Sequence, residues 1–139
     1  MACVLLVKKD KIKDGMKWFN EVMEIDSPWE KDLVLKGYKN GSIYFVEFED
    51  FYRFEDFSNE YFAYWEMESW FLVAGEHEIM YGYYSEDELA AEFIHIKDGE
   101  CIREYKTYYD MPEDNVDEGD LPEFEDWVDV SAYVDSKMG

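Results

Sequence analysis

Residues 78–108 decide the fold, and they read EIMYGYYSEDELAAEFIHIKDGECIREYKTY. Three runs rich in aromatic and β-branched residues, 78–84, 89–96 and 101–108, are separated by two short polar stretches. The second polar stretch contains Asp98-Gly99, a pair that supplies the positive φ angles of a tight hairpin turn. The pattern therefore predicts three consecutive antiparallel strands.

A second hairpin is predicted upstream of this stretch. Residues 33–39 and 42–51 are β-rich, and Asn40-Gly41 between them is the strongest short hairpin signal. At the start of the chain, Ala2 to Val7 is a continuous apolar run that ends at Lys8-Lys9. A run of this kind is typical of a strand that is buried on both faces.

Helical signals lie between and after these strands. Asp14 is a candidate N-cap for an amphipathic helix over residues 15–23. Residues 58–74 suit a helix begun by Ser58 and ended by Gly75, although their aromatic content also suits a strand; we favour the helix. A charged loop is expected over 109–123, and a last helix over 127–138.

The elements together predict an α+β fold. We expect an antiparallel sheet of about five to six strands with two to three helices packed on it. The length of 139 residues is that of a single domain, which we assign to 1–139.

The net charge excludes several classes of partner. The chain has 35 Asp and Glu against 13 Lys and Arg, a formal charge of −22. Binding to nucleic acid or to an anionic membrane depends on Lys and Arg that meet phosphate, so neither is expected as a direct partner. Disorder is also excluded, because 10 Phe, 12 Tyr and 5 Trp are far too many aromatic residues for an acidic disordered chain.

The charge is unevenly distributed along the chain. Residues 1–40 carry 8 Lys and 7 acidic residues, whereas residues 41–139 carry 5 basic and 28 acidic residues, a balance of −23. So much negative charge opposes folding through self-repulsion, and its obvious use is to steer a basic partner. A solvated acidic surface without a partner is the alternative interpretation.

The expected location is the cytoplasm. The apolar run 2–7 precedes the first lysines, the reverse of a secretory signal, and no run approaches a membrane span. Cys3 and Cys101 lack the spacing of a disulfide framework, so reduced thiols are expected.

Residues suited to catalysis form no specific pattern. His95 alternates with Phe93 and Ala91 and is interpreted as a partly buried, hydrogen-bonded side chain; His77, between two glutamates, is expected at the surface. Cys101 and His95 lie on either side of one predicted turn, so a cross-strand nucleophile pair is possible. Phosphate-binding glycine loops are absent, and the carboxylates are too numerous for any pair to indicate a glycosidase.

One acidic segment invites comparison with a calcium loop. Asp114, Glu118, Gly119 and Glu125 match positions 1, 5, 6 and 12 of the EF-hand pattern, but Val116 occupies a position that needs an oxygen ligand. We therefore interpret residues 114–125 as a solvated acidic loop, and we predict neither a metal site nor a cofactor nor a catalytic residue.

The predicted function is that of a non-catalytic binding protein. Two acidic segments that contain or adjoin aromatic residues are the expected contact regions for a basic protein partner, since interface centres are enriched in Tyr and Trp. The predicted contact residues are Glu47, Glu49, Asp50 and Asp56 in the first segment, and Asp110, Glu113, Asp114, Asp117, Glu118, Asp120, Glu123 and Glu125 in the second.

In composition and architecture the chain resembles the small acidic immunity proteins that bacteria encode beside toxins. Residues 94–105, IHIKDGECIREY, are similar to a hairpin of such small bacterial proteins. The resemblance implies that the acidic surface covers the basic substrate groove of a nuclease-type toxin and so mimics phosphate.

Two alternatives stay open. A DNA mimic would use the same physics against a DNA-binding protein. A small enzyme or ligand-binding domain would instead need a deep pocket lined by Trp and Tyr, in which His95, Cys101 or a carboxylate does the chemistry.

Overall fold

The computed structural model describes residues 2–34 and 36–139, and this part of the chain contains nine strands and three α-helices. The strands are β1 (Ala2–Lys8), β2 (Glu30–Asp32), β3 (Gly37–Asn40), β4 (Ile43–Glu47), β5 (Phe51–Asp56), β6 (Ile79–Ser85), β7 (Ala90–Lys97), β8 (Glu100–Tyr108) and β9 (Val116–Gly119). The helices are α1 (Gly15–Val22), α2 (Met67–Ala74) and α3 (Trp127–Tyr133).

All nine strands form one antiparallel sheet in the order β2-β3-β4-β5-β1-β6-β7-β8-β9. The α+β class is confirmed, but the predicted size of five to six strands is wrong. The outer strands β2 and β9 are short and contain only one apolar residue, Val116, so they carry no apolar alternation. The predicted strand 42–51 ends at Glu47, and a separate strand, β5, begins at Phe51.

Strand β1 lies at the centre of the sheet, between β5 and β6. Because successive side chains of a strand point to opposite faces, Leu5 packs in one core while Val4 and Leu6 pack in another. The prediction of a strand buried on both faces is confirmed.

Helices α1 and α2 cover the first face of the sheet. Asp14 caps α1 as predicted, since its carboxylate accepts a hydrogen bond from Lys17 N at 3.1 Å. Phe19 stacks on Phe54 with a centroid distance of 4.5 Å, and Trp70 stacks on Tyr81 at 4.3 Å. This face therefore buries many of the aromatic side chains of the chain.

Helix α2 occupies only the second half of the predicted helix 58–74. It ends at Gly75 as expected, but its N-cap is Glu66 rather than Ser58. Residues 57–66 form turns instead, because the Asp56 carboxylate accepts hydrogen bonds from Ser58 N at 3.0 Å and Tyr61 N at 2.6 Å.

The second face is covered by α3 and the π-helical turn Val134–Met138 that continues it, so the predicted helix over 127–138 is confirmed. Gly82 permits this close packing. A Cβ atom at that position would lie 2.6 Å from Val134 Cγ2 and 2.8 Å from Met138 Sδ.

The predicted turns are confirmed in part. Asp98 and Gly99 both have positive φ, as the hairpin requires. In the upstream hairpin Asn40 pairs with Ile43, so the turn is Gly41-Ser42, one residue later than predicted. The predicted strand 33–39 includes residue 35, which lies outside the described residues; in the part described, β3 begins at Gly37.

Candidate functional site

Eight of the predicted contact residues gather at one edge of the sheet, around the outermost strand β9. Asp117 and Glu118 lie on β9 itself, and the other six lie in the segments directly before and after it; these six are Asp110, Glu113, Asp114, Asp120, Glu123 and Glu125. We call these eight residues the acidic edge. All eight are exposed.

The stretch of sequence that contains the acidic edge is strongly negative and has no basic residue within it. Between Lys106 and Lys137 the chain has eleven Asp and Glu and no Lys or Arg. One positive charge contacts the acidic edge from the neighbouring strand β8, since Arg103 Nη1 lies 2.7 Å from Asp117 Oδ1. The remaining carboxylates make this edge a concentrated source of negative potential.

The first predicted contact segment lies elsewhere. Glu47, Glu49 and Asp50 are at the β4–β5 hairpin, and four strands, β1, β6, β7 and β8, separate β5 from β9. At about 4.8 Å per strand the two groups are roughly 24 Å apart. Lys9 Nζ also lies 2.6 Å from Glu47 Oε2, so part of the charge at this hairpin is neutralised.

Asp56 is not a contact residue. Its side chain is only 1% exposed and accepts hydrogen bonds from Ser42 Oγ, Ser58 and Tyr61 N. The prediction for Asp56 is wrong because a carboxylate in an acidic sequence segment can still be an internal acceptor that fixes a turn.

Arg103 determines the position of the acidic edge. This residue is 2% exposed, and besides Asp117 its guanidinium donates to the carbonyl oxygens of Glu118 at 2.7 Å and Pro122 at 2.8 Å. The guanidinium also lies 5.5 Å from the ring centroids of Tyr105 and Phe124. One buried cation therefore holds β9 and the segment after it against the sheet.

Large apolar side chains are exposed among these carboxylates. Tyr109 is 73% exposed and Leu121 71% exposed, and Met111 and Val128 are exposed as well. Sequence reasoning did not single out these four residues. Their exposure could have been predicted from the sequence, because each is an apolar residue in an acidic segment that shows no apolar alternation.

The backbone of β9 adds a further property. β9 pairs with β8 on one side only, so its other side is an open sheet edge. Carboxylates on such an edge oppose the pairing of further strands, and the acidic sequence of β9 thus protects the chain from edge-to-edge association.

His95, Cys101 and Cys3 lie in surroundings that are typical of structural residues. His95 Nε2 lies 2.7 Å from Glu78 Oε2, which confirms the partly buried, hydrogen-bonded interpretation. Cys101 pairs with Ile96 across the hairpin, while His95 pairs with Arg103, so the suggested Cys–His pair is not brought together. Burial raises the pKa of Cys3 and of Cys101, which lowers the fraction of reactive thiolate.

Residues 114–125 do not fold as a calcium loop. Asp114 ends the 3₁₀ turn Pro112–Asp114, and Asp117 and Glu118 belong to strand β9. Within residues 2–34 and 36–139, no three His, Cys, Asp or Glu side chains are placed together as metal ligands.

A buried carboxylate that the sequence did not reveal lies under the other end of β8. Glu92 is 1% exposed and accepts hydrogen bonds from Tyr81 Oη at 2.9 Å, Tyr64 N at 3.0 Å and Tyr108 Oη. Burial is the main cause that raises the pKa of Tyr81 and of Tyr108, with the Glu92 charge adding to it. These hydroxyls therefore remain protonated donors at neutral pH.

The chain was compared with protein-family models, with curated proteins and with solved structures, and none of the three comparisons gives a match. No helix in the described residues is long and apolar enough to cross a membrane.

Proposed function

We propose that the chain is a non-catalytic binding protein whose acidic edge covers a basic surface of a protein partner, as an immunity-type inhibitor covers a nuclease-like toxin. The observation that carries the proposal is the coincidence, at one sheet edge, of eight exposed carboxylates and several exposed apolar side chains, in a stretch of sequence that has no Lys or Arg between Lys106 and Lys137.

Charge and apolar contact have separate roles in such a complex. Carboxylates accelerate encounter with a basic partner and orient it, but surface charges that stay hydrated contribute little to affinity. Tyr109 and Leu121 provide apolar area that becomes buried on contact, and buried anchors of this kind carry most of the binding free energy.

Rigidity of the surface also favours this function. The buried Arg103 fixes β9 and the carbonyl of Pro122 before any partner arrives. A preformed surface loses less conformational freedom on binding than a flexible acidic tail would lose.

The experiment is co-expression with each basic protein that is encoded next to this gene. We expect one of them to inhibit growth alone, to be neutralised by this chain and to co-purify with it. Asp110→Asn, Glu113→Gln and Glu118→Gln together should weaken protection, because they slow the encounter with the basic partner. The matched control removes three exposed carboxylates elsewhere, by Glu30→Gln, Glu49→Gln and Asp50→Asn. The control should protect fully, because the β4–β5 hairpin lies away from the acidic edge and Glu49 and Asp50, although predicted as contact residues from the sequence, are then outside the surface that covers the partner.

The outcomes separate the functions under consideration. A partner that is a DNA-binding protein rather than a toxin would favour the DNA-mimic alternative. Full protection by the acidic-edge variant, or equal loss in both variants, would contradict the use of this surface.

A further inference from the structure

A second concave site lies beside the buried Glu92 and has no lining residue in common with the acidic edge. It is a cleft of about 350 Å³ between the turns that follow β5 and the β6–β7 hairpin. Its lining includes Ser58, Glu60, Tyr64, Tyr83, Ser85 and Glu88. We call it the tyrosine cleft.

The aromatic wall of the cleft is held rigidly. The rings of Tyr64 and Tyr83 meet at an interplanar angle of 61° with centroids 5.9 Å apart, and Tyr64 stacks on Tyr108 at 5.7 Å. Tyr64 has φ +67, a strained angle for a bulky residue, and its N–H is held by the Glu92 carboxylate at 3.0 Å. Tyr64 nevertheless remains 47% exposed.

The chemistry of the cleft is that of a receptor for an organic cation. Glu88 Oε2 accepts hydrogen bonds from the hydroxyls of Tyr64 and Tyr83, while Oε1 accepts none from the described residues. Glu60 supplies a second carboxylate, and the described residues that line the cleft include no Lys or Arg. An aromatic face beside a carboxylate attracts a cation both through the ring quadrupole and through the charge.

A guanidinium group fits these features better than an ammonium group does. Its planar donors can bind a carboxylate while its face stacks on an aromatic ring, whereas an ammonium is a compact, strongly hydrated point charge. The cleft is also linked to the segment that carries the acidic edge, because the backbone N–H of Tyr108, on which Tyr64 stacks, donates a hydrogen bond to Asn115 Oδ1 at 2.8 Å in the β8–β9 segment.

We infer that the tyrosine cleft binds the guanidinium of an arginine side chain presented by the basic partner. That the arginine belongs to the basic partner rests on the proposed function, but binding of a guanidinium group in the cleft can be tested without any partner. Failure of the cleft test and failure of the acidic-edge test are therefore distinguishable.

The experiment is an NMR titration of the ¹⁵N-labelled chain with Nα-acetyl-L-arginine amide. We expect saturable shifts confined to the amides of Tyr64, Tyr83, Ser85 and Glu88. Nα-acetyl-L-citrulline amide, which has the same shape without the charge, should leave them unchanged.

Glu88→Gln should weaken binding of the arginine amide at least about tenfold through loss of a charge-assisted hydrogen bond, and Glu60→Gln should weaken it less. Glu30→Gln, which removes an exposed carboxylate on the outer strand β2, should bind normally.

Shifts spread over the whole acidic surface, equal shifts with the citrulline amide, or no saturation would overturn the inference. A free L-arginine that binds more than about tenfold tighter than the blocked amide would assign the cleft to a metabolite and so overturn its role as a partner anchor. Unchanged thermal unfolding of the Glu88→Gln and Glu60→Gln variants shows that weaker binding is not caused by loss of the fold.

Discussion

Arg103 Nη1 lies 2.7 Å from Asp117 Oδ1, and this pair joins a buried cation on β8 to an exposed carboxylate on the edge strand β9. Gly119 completes the close approach. A Cβ atom there would lie 2.3 Å from the Ile102 carbonyl oxygen, and its φ of +91 suits only glycine. Strand β9, which carries Asp117 and Glu118 of the acidic edge, is thus closely attached to the sheet.

Replacing Arg103 by Met should lower the free energy of unfolding by about 2–4 kcal/mol. The change keeps an apolar stem but leaves the carbonyls of Glu118 and Pro122 without their donor. Urea denaturation measures the loss, and hydrogen exchange should show β9 opening first. Asp117→Asn is the control and should cost less than about 1 kcal/mol, because the Asp117 side chain is largely exposed. Equal losses in the two variants would contradict the assigned role.

Glu92→Gln should destabilise the chain by about 1–3 kcal/mol. In the parent chain the hydroxyls of Tyr81 and Tyr108 donate to the Glu92 carboxylate. The amide of glutamine places an N–H donor against one of these hydroxyls, so one buried hydrogen bond loses its acceptor. Glu118→Gln, an exposed change of the same kind, should alter stability by less than about 0.5 kcal/mol. Chemical denaturation of both variants tests the contrast, which would be absent if Glu92 were solvated.

Stability should fall steeply in alkaline solution. Burial raises the pKa of Tyr81, Tyr83 and Tyr108 above the ordinary value of about 10. Above that pH the unfolded chain has released protons that the native chain retains, so unfolding becomes more favourable, whereas below it the full stability is present.

The slope should reach at most about 1.4 kcal/mol per pH unit for each such tyrosine. Urea midpoints and tyrosinate absorbance measured in parallel test this, and the tyrosinate absorbance of the buried tyrosines should appear together with unfolding. Tyr108→Phe should make the slope shallower. Ionisation of all tyrosines near pH 10 in a chain that remains folded would contradict the burial of these hydroxyls.

Self-repulsion at the acidic edge should be visible in the melting temperature. With a net charge of −22, added NaCl should stabilise the fold. At low salt, the variant with Asp110→Asn, Glu113→Gln and Glu118→Gln should melt about 2–5 °C higher than the parent chain. The difference should shrink at high salt in differential scanning calorimetry. A variant that melts lower than the parent would show that these carboxylates stabilise the fold.

The sequence predicted the elements whose residues carry a complete local signal. Asp98-Gly99 specified a turn, Asp14 specified a helix start, and the three runs of aromatic and β-branched residues within residues 78–108 specified three strands. Such features depend on near neighbours alone, so no knowledge of the tertiary structure was needed.

The missed features depend on distant residues. β9 is a strand because it pairs with β8, although only one of its four residues is apolar. The turns of 57–66 depend on the buried Asp56 carboxylate, and Glu92 is buried because three tyrosines converge on it. The eight acidic-edge residues were predicted from charge alone, while their separation from Glu47, Glu49 and Asp50 required the strand order.

The central claim is tested most directly by the association rate between this chain and the basic partner identified by co-expression, measured by stopped flow as salt is varied. The rate should fall at least about tenfold from low to high salt. At low salt, the variant with Asp110→Asn, Glu113→Gln and Glu118→Gln should associate several-fold more slowly. The control with Glu30→Gln, Glu49→Gln and Asp50→Asn should match the parent chain. A rate independent of salt, or one lowered equally in both variants, would contradict binding through the acidic edge.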